Sequence, residues 1–389
     1  MSYLLPIYNR SELDFVRGQG CWLYTQDESA YLDFAAGIAV NSLGHSHPKL
    51  VAALSEQGQK LWHVSNLYST QKAEDYARAL MEGTPFTKAF FCNSGAEANE
   101  AAIKFARRYH HAKGNPQKWR VITANNAFHG RTLATISATG NKKVLDGFGP
   151  AVDGFDHVPF LNSNVLKSSI SSEIAAILIE PVQGEGGIIT ADKAYLQALR
   201  AICDEYDLLL IYDEIQCGMG RSGRRFAAQH FEVMPDIISL AKGIAGGFPM
   251  GAVLSNEKAS AAMTAGTHGT TYGGNPLAIA VASAVLDCLS DDFLAQVREK
   301  AQYLQAGLEA LAAEQPAIKT VRGLGLMQGI VLNEPYDAGR FVQALRANKL
   351  LTVPAGQNTL RLLPPLIVTK EEIDLALSIL KKTFQGTEA

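Results

Sequence analysis

Leu208-Leu209-Leu210-Ile211-Tyr212-Asp213-Glu214-Ile215-Gln216 is the stretch on which the reading of this chain turns. Five apolar or aromatic residues run without a charge, and two acids follow at once. An uninterrupted run of that length reads as a strand buried on both faces of a parallel sheet. Asp213 then falls at the strand's carboxyl end, where open α/β sheets bind their ligands. A second short run, Asp236-Ile237-Ile238-Ser239-Leu240-Ala241, ends in the same way at Lys242-Gly243. Two strands thus deliver an acid and a lysine to one edge of one sheet.

That pair suits pyridoxal phosphate. The cofactor needs a lysine amine to hold its aldehyde as a Schiff base. It also needs a carboxylate to keep its pyridine nitrogen protonated, so that the ring accepts electrons. A structural salt bridge at a strand edge would use the same two residues. The rest of the chain decides between them.

Flanking segments continue the alternation. Strands are expected at residues 89–92, 121–124, 174–179 and 251–254, and helices at 96–111 and 195–206. Such alternation implies a parallel or mixed sheet wrapped by helices. Two long helices follow at 275–289 and 293–311. Past them the texture changes to short strands at 324–331, 350–354 and 359–363, with helices at 338–347 and 370–383. We therefore expect a large cofactor-binding domain over residues 46–314 and a small α/β domain over 315–389. Residues 1–45 read as an arm that contributes to the small domain, with short strands flanking a polar turn at 25–29. Gly44-His45-Ser46-His47-Pro48 offers a His-x-His pair, but Pro48 marks it as a helix start, continued at near-helical spacing by Leu50, Val51, Leu54, Leu61 and Trp62. No metal site is expected.

Composition excludes several classes of function. A chain of 389 residues with a net charge of −3 carries no electrostatic footprint for nucleic acid or an anionic membrane. The five cysteines form no C-x-x-C pair and their number is odd, which points to reduced thiols and a cytoplasmic location. No apolar run approaches membrane-spanning length. Met1 to Pro6 shows no basic region leading into an apolar core, so no signal peptide is expected.

Four further stretches can carry chemistry. Ser94-Gly95-Ala96 joins a strand to a helix, and its small residues let backbone N–H groups approach a phosphate. Phe128-His129-Gly130-Arg131 offers a ring to stack on a planar cofactor and a guanidinium for a substrate carboxylate. Glu180-Pro181-Val182-Gln183-Gly184-Glu185-Gly186-Gly187 places acids among glycines, the mark of close backbone approach or mobility. Thr270-Thr271-Tyr272-Gly273-Gly274-Asn275 is a polar turn whose hydroxyls and amides suit a phosphate. Each, alone, is equally an ordinary loop. Gly218-Met219-Gly220-Arg221-Ser222-Gly223 matches G-x-G-x-x-G, yet it lacks the strand before it and the helix after it that a dinucleotide site requires.

Taken together and in this order, these motifs resemble the class III, fold-type I, pyridoxal-phosphate-dependent aminotransferases. The resemblance runs from Tyr31-Leu32-Asp33-Phe34 through Arg361-Leu362-Leu363-Pro364-Pro365. It implies a mostly parallel, seven-stranded-type sheet in the large domain and a homodimer with shared sites. It implies that Lys242 forms the Schiff base, that Asp213 binds the pyridine nitrogen and that Gln216 meets the phenolic oxygen. Ser94, Gly95 and Ala96 would cradle the phosphate and Phe128 would stack on the ring, with Glu214 and Ile215 also beside the cofactor. Thr271 would reach the phosphate of the neighbouring subunit.

For the substrates, the resemblance makes Arg131 the arginine for the donor's α-carboxylate and gives Thr270 a substrate contact. Arg361 would grip the carboxylate next to the reacting carbon of glutamate, and Glu185 would be the switch that pairs with it. Ser65-Asn66-Leu67-Tyr68 is similar to the branch that acts on an acetylated diamine. The expected activity moves the terminal amine of N2-acetyl-L-ornithine to 2-oxoglutarate, in arginine biosynthesis. The rival readings are other amine donors (succinylornithine, N-succinyl-diaminopimelate, ornithine, 4-aminobutyrate), a decarboxylase or aminomutase, or a non-enzymatic cofactor-binding regulator.

Overall fold

The Leu208 run does become a central strand. In the computed structural model, which describes residues 3–386, Leu209–Asp213 is buried at every position. It pairs in parallel with Ile174–Ile179 on one side and Ile237–Leu240 on the other. Both neighbours are equally buried and equally apolar, as strands covered on both faces must be. The full sheet has seven strands in the order Lys88–Cys92, Gly251–Ser255, Ile237–Leu240, Leu209–Asp213, Ile174–Ile179, Arg120–Ala124, Phe155–Val158. Gly251–Ser255 alone runs against its neighbours, so the sheet is mostly parallel.

Helices close both faces. Gly95–Ala112 presents Ala98, Ala101, Ala102, Phe105 and Ala106 to the sheet. On the chain's other large cluster lie Lys193–Glu205, Pro276–Cys288 and Asp291–Glu314, with Leu196, Leu199, Ile279, Val285, Leu304 and Leu308 buried. Pro48 stands at the first turn of Pro48–Gly58, as its missing N–H allows. That helix stops at Gly58, earlier than the spacing of Leu61 and Trp62 predicts, and Trp62 is left exposed. His45 is engaged with Asp33, Nε2 to Oδ2 at 2.7 Å, and no group of metal-ligating side chains occurs among the described residues.

Two smaller sheets frame the site. One holds Phe15–Gln19, Trp22–Thr25, Ala30–Asp33 and, from far down the chain, Leu350–Leu351. The other holds Ile318–Leu324, Met327–Leu332, Thr359–Leu362 and Val353–Ala355. The strand expected at 324–331 begins instead in the turn of a hairpin: Gly325 takes φ +62 and turns the chain from Ile318–Leu324 into Met327–Leu332. The strand expected at 350–354 is divided between the two sheets. Strands Phe15–Gln19 and Phe155–Val158, which hold few apolar residues, lie outside the expected elements, as does helix Gln71–Met81, although its Ala73, Tyr76, Ala77, Leu80 and Met81 recur at helical spacing.

The G-x-G-x-x-G stretch forms a string of buried turns. Arg221 within it donates from Nη1 to the carbonyls of Leu326, at 3.0 Å, and of Pro364. Its work is to tie the turn to the C-terminal segment.

Candidate active site

Asp213 and Lys242 meet at the carboxyl edge of the large sheet. Asp213 is the register partner of Ser239, and Lys242 lies just beyond the end of that second strand. A cavity of about 450 Å3 opens there. Its wall includes Ser94, Gly95, Ala96, Phe128, Arg131, Glu180, Asp213, Ile215, Gln216 and Lys242, together with Val40, Phe248 and Met250.

Asp213 is fixed by three donors. Oδ2 accepts from Asn99 Nδ2 at 2.7 Å and from His129 Nδ1 at 2.9 Å, while Oδ1 accepts the N–H of Ile215 at 3.0 Å. Asn99 is itself oriented by Ser239 Oγ, which donates to its Oδ1 at 2.6 Å, and by the carbonyl of His129. A carboxylate facing His129 sets Nδ1 as the protonated ring nitrogen. Neither Asn99 nor His129 was assigned a role from the sequence. The available signal was Asn99 itself, a polar residue among the alanines on a helix's apolar face.

Lys242 opens a short 3-10 turn, Lys242–Ala245, with φ +51. A left-handed conformation at a non-glycine residue costs on the order of 1–3 kcal/mol and survives where the surroundings over-determine it, often at functional sites. Its amine has no hydrogen-bond partner among the described residues. Loss of solvent pulls its pKa below the usual lysine value, and the Arg361 charge adds to the effect, against the opposing pull of Glu185, Asp213 and Glu180.

Helix Gly95–Ala112 points its N-terminus at the cavity. Ser94 caps it, its hydroxyl accepting the N–H of Glu97 at 3.2 Å. Capping uses only a lone pair of that hydroxyl, so its O–H and the N–H groups of Gly95 and Ala96 are left for an anion. Gly95 is required for its close packing: a Cβ there would lie 2.8 Å from Ile215 Cδ1. Phe128 stands in the wall with the Arg131 guanidinium 5.5 Å from its ring centre.

Glu185 and Arg361 lie behind the wall. Arg361 Nη1 donates to Glu185 Oε1 at 2.6 Å and to Gln216 Oε1 at 2.9 Å. Gln216, in the wall, therefore stands between the cavity and the ion pair. Glu180 is buried, and its two oxygens accept the N–H of Phe128, at 3.1 Å, and of Gly184, at 3.2 Å. Burial, with Asp213 nearby, pushes its carboxyl well above the usual range.

Three more expected residues, besides Glu185 and Arg361, are placed outside this cavity. Glu214 turns away, and its carboxylate accepts the N–H groups of Ala227 and Ala228 at 2.5 and 2.7 Å. Continued past the end of the strand, the alternation of side chains turns Glu214 away from the face of Asp213. Thr270 and Thr271 line a neighbouring groove with Phe90, Cys92 and Glu97, and Thr271 is exposed.

The arrangement can hold a flat, phosphorylated aldehyde. A free amine is placed to condense with the carbonyl, a fixed carboxylate to meet a ring nitrogen, and an open helix N-terminus to take the phosphate. The residues present therefore fit pyridoxal phosphate. The class is that of lysine-anchored pyridoxal-phosphate enzymes with a fold-type I sheet.

The chain belongs to the class-III aminotransferases, whose family model matches residues 7–384. Pyridoxal 5'-phosphate is its cofactor. It is 56% identical over 371 residues to the acetylornithine aminotransferase of Agrobacterium fabrum, covering 95% of this chain and 92% of that one. To the acetylornithine aminotransferase of Mesorhizobium japonicum it is 54% identical, covering 99% and 96%. The ornithine aminotransferase of Toxoplasma gondii superposes with a TM-score of 0.94 at 32% identity, over 99% of this chain and 93% of that one. The N-acetylornithine aminotransferase of Stenotrophomonas maltophilia gives 0.86 at 37% identity, with 97% of each chain covered.

Proposed function

We propose that this protein transfers the terminal amino group of N2-acetyl-L-ornithine to 2-oxoglutarate, giving N-acetyl-L-glutamate 5-semialdehyde and L-glutamate, a step of arginine biosynthesis. One observation carries the reading: Arg361 is closed by Glu185 beside a cavity whose wall holds a second arginine, Arg131. One site must accept an amine with no carboxylate next to it and then a keto acid that has one. A buried arginine with an exchangeable partner meets both needs. Relatives named for acetylornithine at 45–56% identity support the choice of donor.

When bound, pyridoxal phosphate supplies the electron sink that lets the amine-bearing carbon give up a proton. Lys242 Nζ would take up that proton and hand it on, a role suited to an amine whose pKa burial lowers. Asp213, held by Asn99, His129 and the Ile215 N–H, would face the ring nitrogen. Ser94 and the N–H groups of Gly95 and Ala96 would hold the phosphate, and Phe128 would cover one ring face. Arg131 pairs with the donor's distant α-carboxylate. Glu185 neutralises Arg361 while the donor is in place and yields it to the carboxylate of 2-oxoglutarate.

The same reading makes the protein a cytoplasmic homodimer in which Thr271 completes the partner's phosphate site and Thr270 contacts substrate. It keeps the division into an arm over residues 1–45, a large domain over 46–314 and a small domain over 315–389. The pairing of Leu350–Leu351 with Ala30–Asp33 supports joining the arm to the small domain. No helix among the described residues is long and apolar enough to cross a membrane.

The test is a panel of N2-acetyl-L-ornithine, ornithine, succinylornithine, N-succinyl-diaminopimelate and 4-aminobutyrate with 2-oxoglutarate, scored by glutamate formed. The acetylated donor should give the highest kcat/KM. A preference for free ornithine would overturn the substrate and leave the reaction class standing.

A further inference from the structure

The loop over residues 184–188 carries Glu185 out of the large domain's short hairpin, Val182–Gln183 and Ile189–Thr190, and lays it on the C-terminal sheet. Its backbone is held at three points. The N–H of Gly184 donates to Glu180 Oε1 at 3.2 Å. The carbonyl of Glu185 accepts the N–H of Gly356 at 2.8 Å. The carbonyl of Gly187 accepts Arg322 Nε at 2.7 Å. Arg322 then reaches onward, donating from Nη2 to Gln357 Oε1 at 3.0 Å and to Thr359 Oγ1 at 3.3 Å. Thr359 begins the strand Thr359–Leu362, which carries Arg361. One guanidinium thus spans from the loop of the gate to the strand of its partner.

The fit leaves no slack. A Cβ at Gly187 would come within 2.6 Å of both Arg322 Nη2 and the carbonyl oxygen of Gly356. Ile188, at φ +59, is fully buried, and a Cβ at Gly329 would meet its Cβ at 3.0 Å. All three acceptors of Arg322 are neutral oxygens, so its bonds define a position rather than neutralise a charge.

We propose that Arg322 is a positioning residue for donor selection: it locks the Glu185 backbone to the strand of Arg361, so that the gate opens by side-chain rotation alone. The inference rests on the Glu185–Arg361 reading above. Pre-placing Glu185 removes the entropy cost of ordering its loop each time the pair closes. Without Arg322 the closed pair is less populated, the charge of Arg361 is uncovered, and substrates bearing a carboxylate next to the reacting carbon gain over those that lack one.

The experiment compares two half-reactions of the holoenzyme, with N2-acetyl-L-ornithine and with L-glutamate as donor, in the wild type, Glu185→Gln, Arg322→Met and Arg322→Lys. In Arg322→Met the ratio of the two kcat/KM values should fall about tenfold, the effect of one charge-assisted hydrogen bond, through a raised KM for the acetylated donor. The absorption spectrum of the bound cofactor should not change. Arg322→Lys, which keeps one donor for the Gly187 carbonyl, should recover part of the ratio. In the cofactor-free protein, deuterium uptake over residues 184–190 should quicken in Arg322→Met. Gln357 is exposed, so Gln357→Ala serves if Arg322→Met does not fold, and the ratio should shift the same way. If Glu185→Gln changes the ratio while the Arg322 and Gln357 variants leave it alone, the role of Arg322 is overturned and the gate stands. If Glu185→Gln leaves it unchanged, the gate itself fails and this inference falls with it.

Discussion

Arg361, almost wholly buried, donates to a half-buried Glu185 that precedes it by 176 residues, at 2.6 Å. The asymmetry matters. A buried guanidinium stripped of its counter-ion is costly, so Arg361 must always have a carboxylate, whether the protein's or the substrate's. Glu185→Gln keeps the shape and removes the charge. We expect kcat/KM for the ω-amine donor to drop by about 2 kcal/mol, or about thirtyfold, relative to that for glutamate. Cofactor affinity should stay within about twofold, because Glu185 lies outside the cavity wall. An unchanged donor profile would remove the gate from the mechanism.

Lys242 titrates below an ordinary lysine because burial and the Arg361 charge both disfavour its ammonium form. The uncharged amine, the form that attacks a carbonyl, should thus appear at lower pH than on the surface. Cofactor-free protein treated with pyridoxal and a trapping reductant, then digested and weighed, should be labelled at Lys242 first. Its labelling midpoint should lie under that of exposed lysines. A midpoint at or above theirs would contradict the assignment, as would turnover surviving in Lys242→Ala.

The stretch from Leu208 to Gln216 was legible because a doubly covered parallel strand needs an unbroken apolar run, and such runs are local. Asp213 and Lys242 were legible for the same reason: each simply follows its strand. Asn99 and His129 were not, since what matters about them is which way they point across the sheet. Glu214 adjoins Asp213 in sequence, yet its carboxylate turns to the N–H groups of Ala227 and Ala228, a direction no local pattern encodes. The Glu185–Arg361 distance depends on how the C-terminal sheet seats on the 184–188 loop, and no local pattern encodes that. Gly325 shows the smaller failure: a turn at one positive φ occupies the start of the segment expected as a strand.

Glu214 offers a stability test apart from catalysis. Burial pushes its carboxyl up to about 8 from the usual 4.5. With the folded value above the unfolded one, ionisation opposes folding. Its contribution to stability is full below about 4.5 and is lost as the pH rises through about 8. Glu214→Gln removes the ionisation but gives up one of the two acceptors offered to Ala227 and Ala228. The variant should melt lower at pH 5, and lose less on going to pH 8.5, by about 3 °C against the wild type. Parallel melting curves in the cofactor-free proteins would show that Glu214 is ionised throughout.

Thr271 is the residue that tests the proposed homodimer. It is exposed, and beside it Tyr272 packs on His63 with ring centres 5.3 Å apart. Trp62, Leu67, Tyr68 and Tyr272 are all more than half exposed. If two copies meet there, each site takes Lys242 from one chain and Thr271 from the other. Thr271→Ala should then weaken cofactor retention by about tenfold, the loss of one hydrogen bond to a charged group. Lys242→Ala should be inactive. Dissociating the two variants together and reassembling them yields hybrids in which one site has both residues intact. Those hybrids should regain up to half the wild-type activity per dimer at cofactor concentrations where Thr271→Ala alone is empty. Mixed protein no more active than the Thr271→Ala parent, or light scattering that shows monomers, would place Thr271 outside the site altogether.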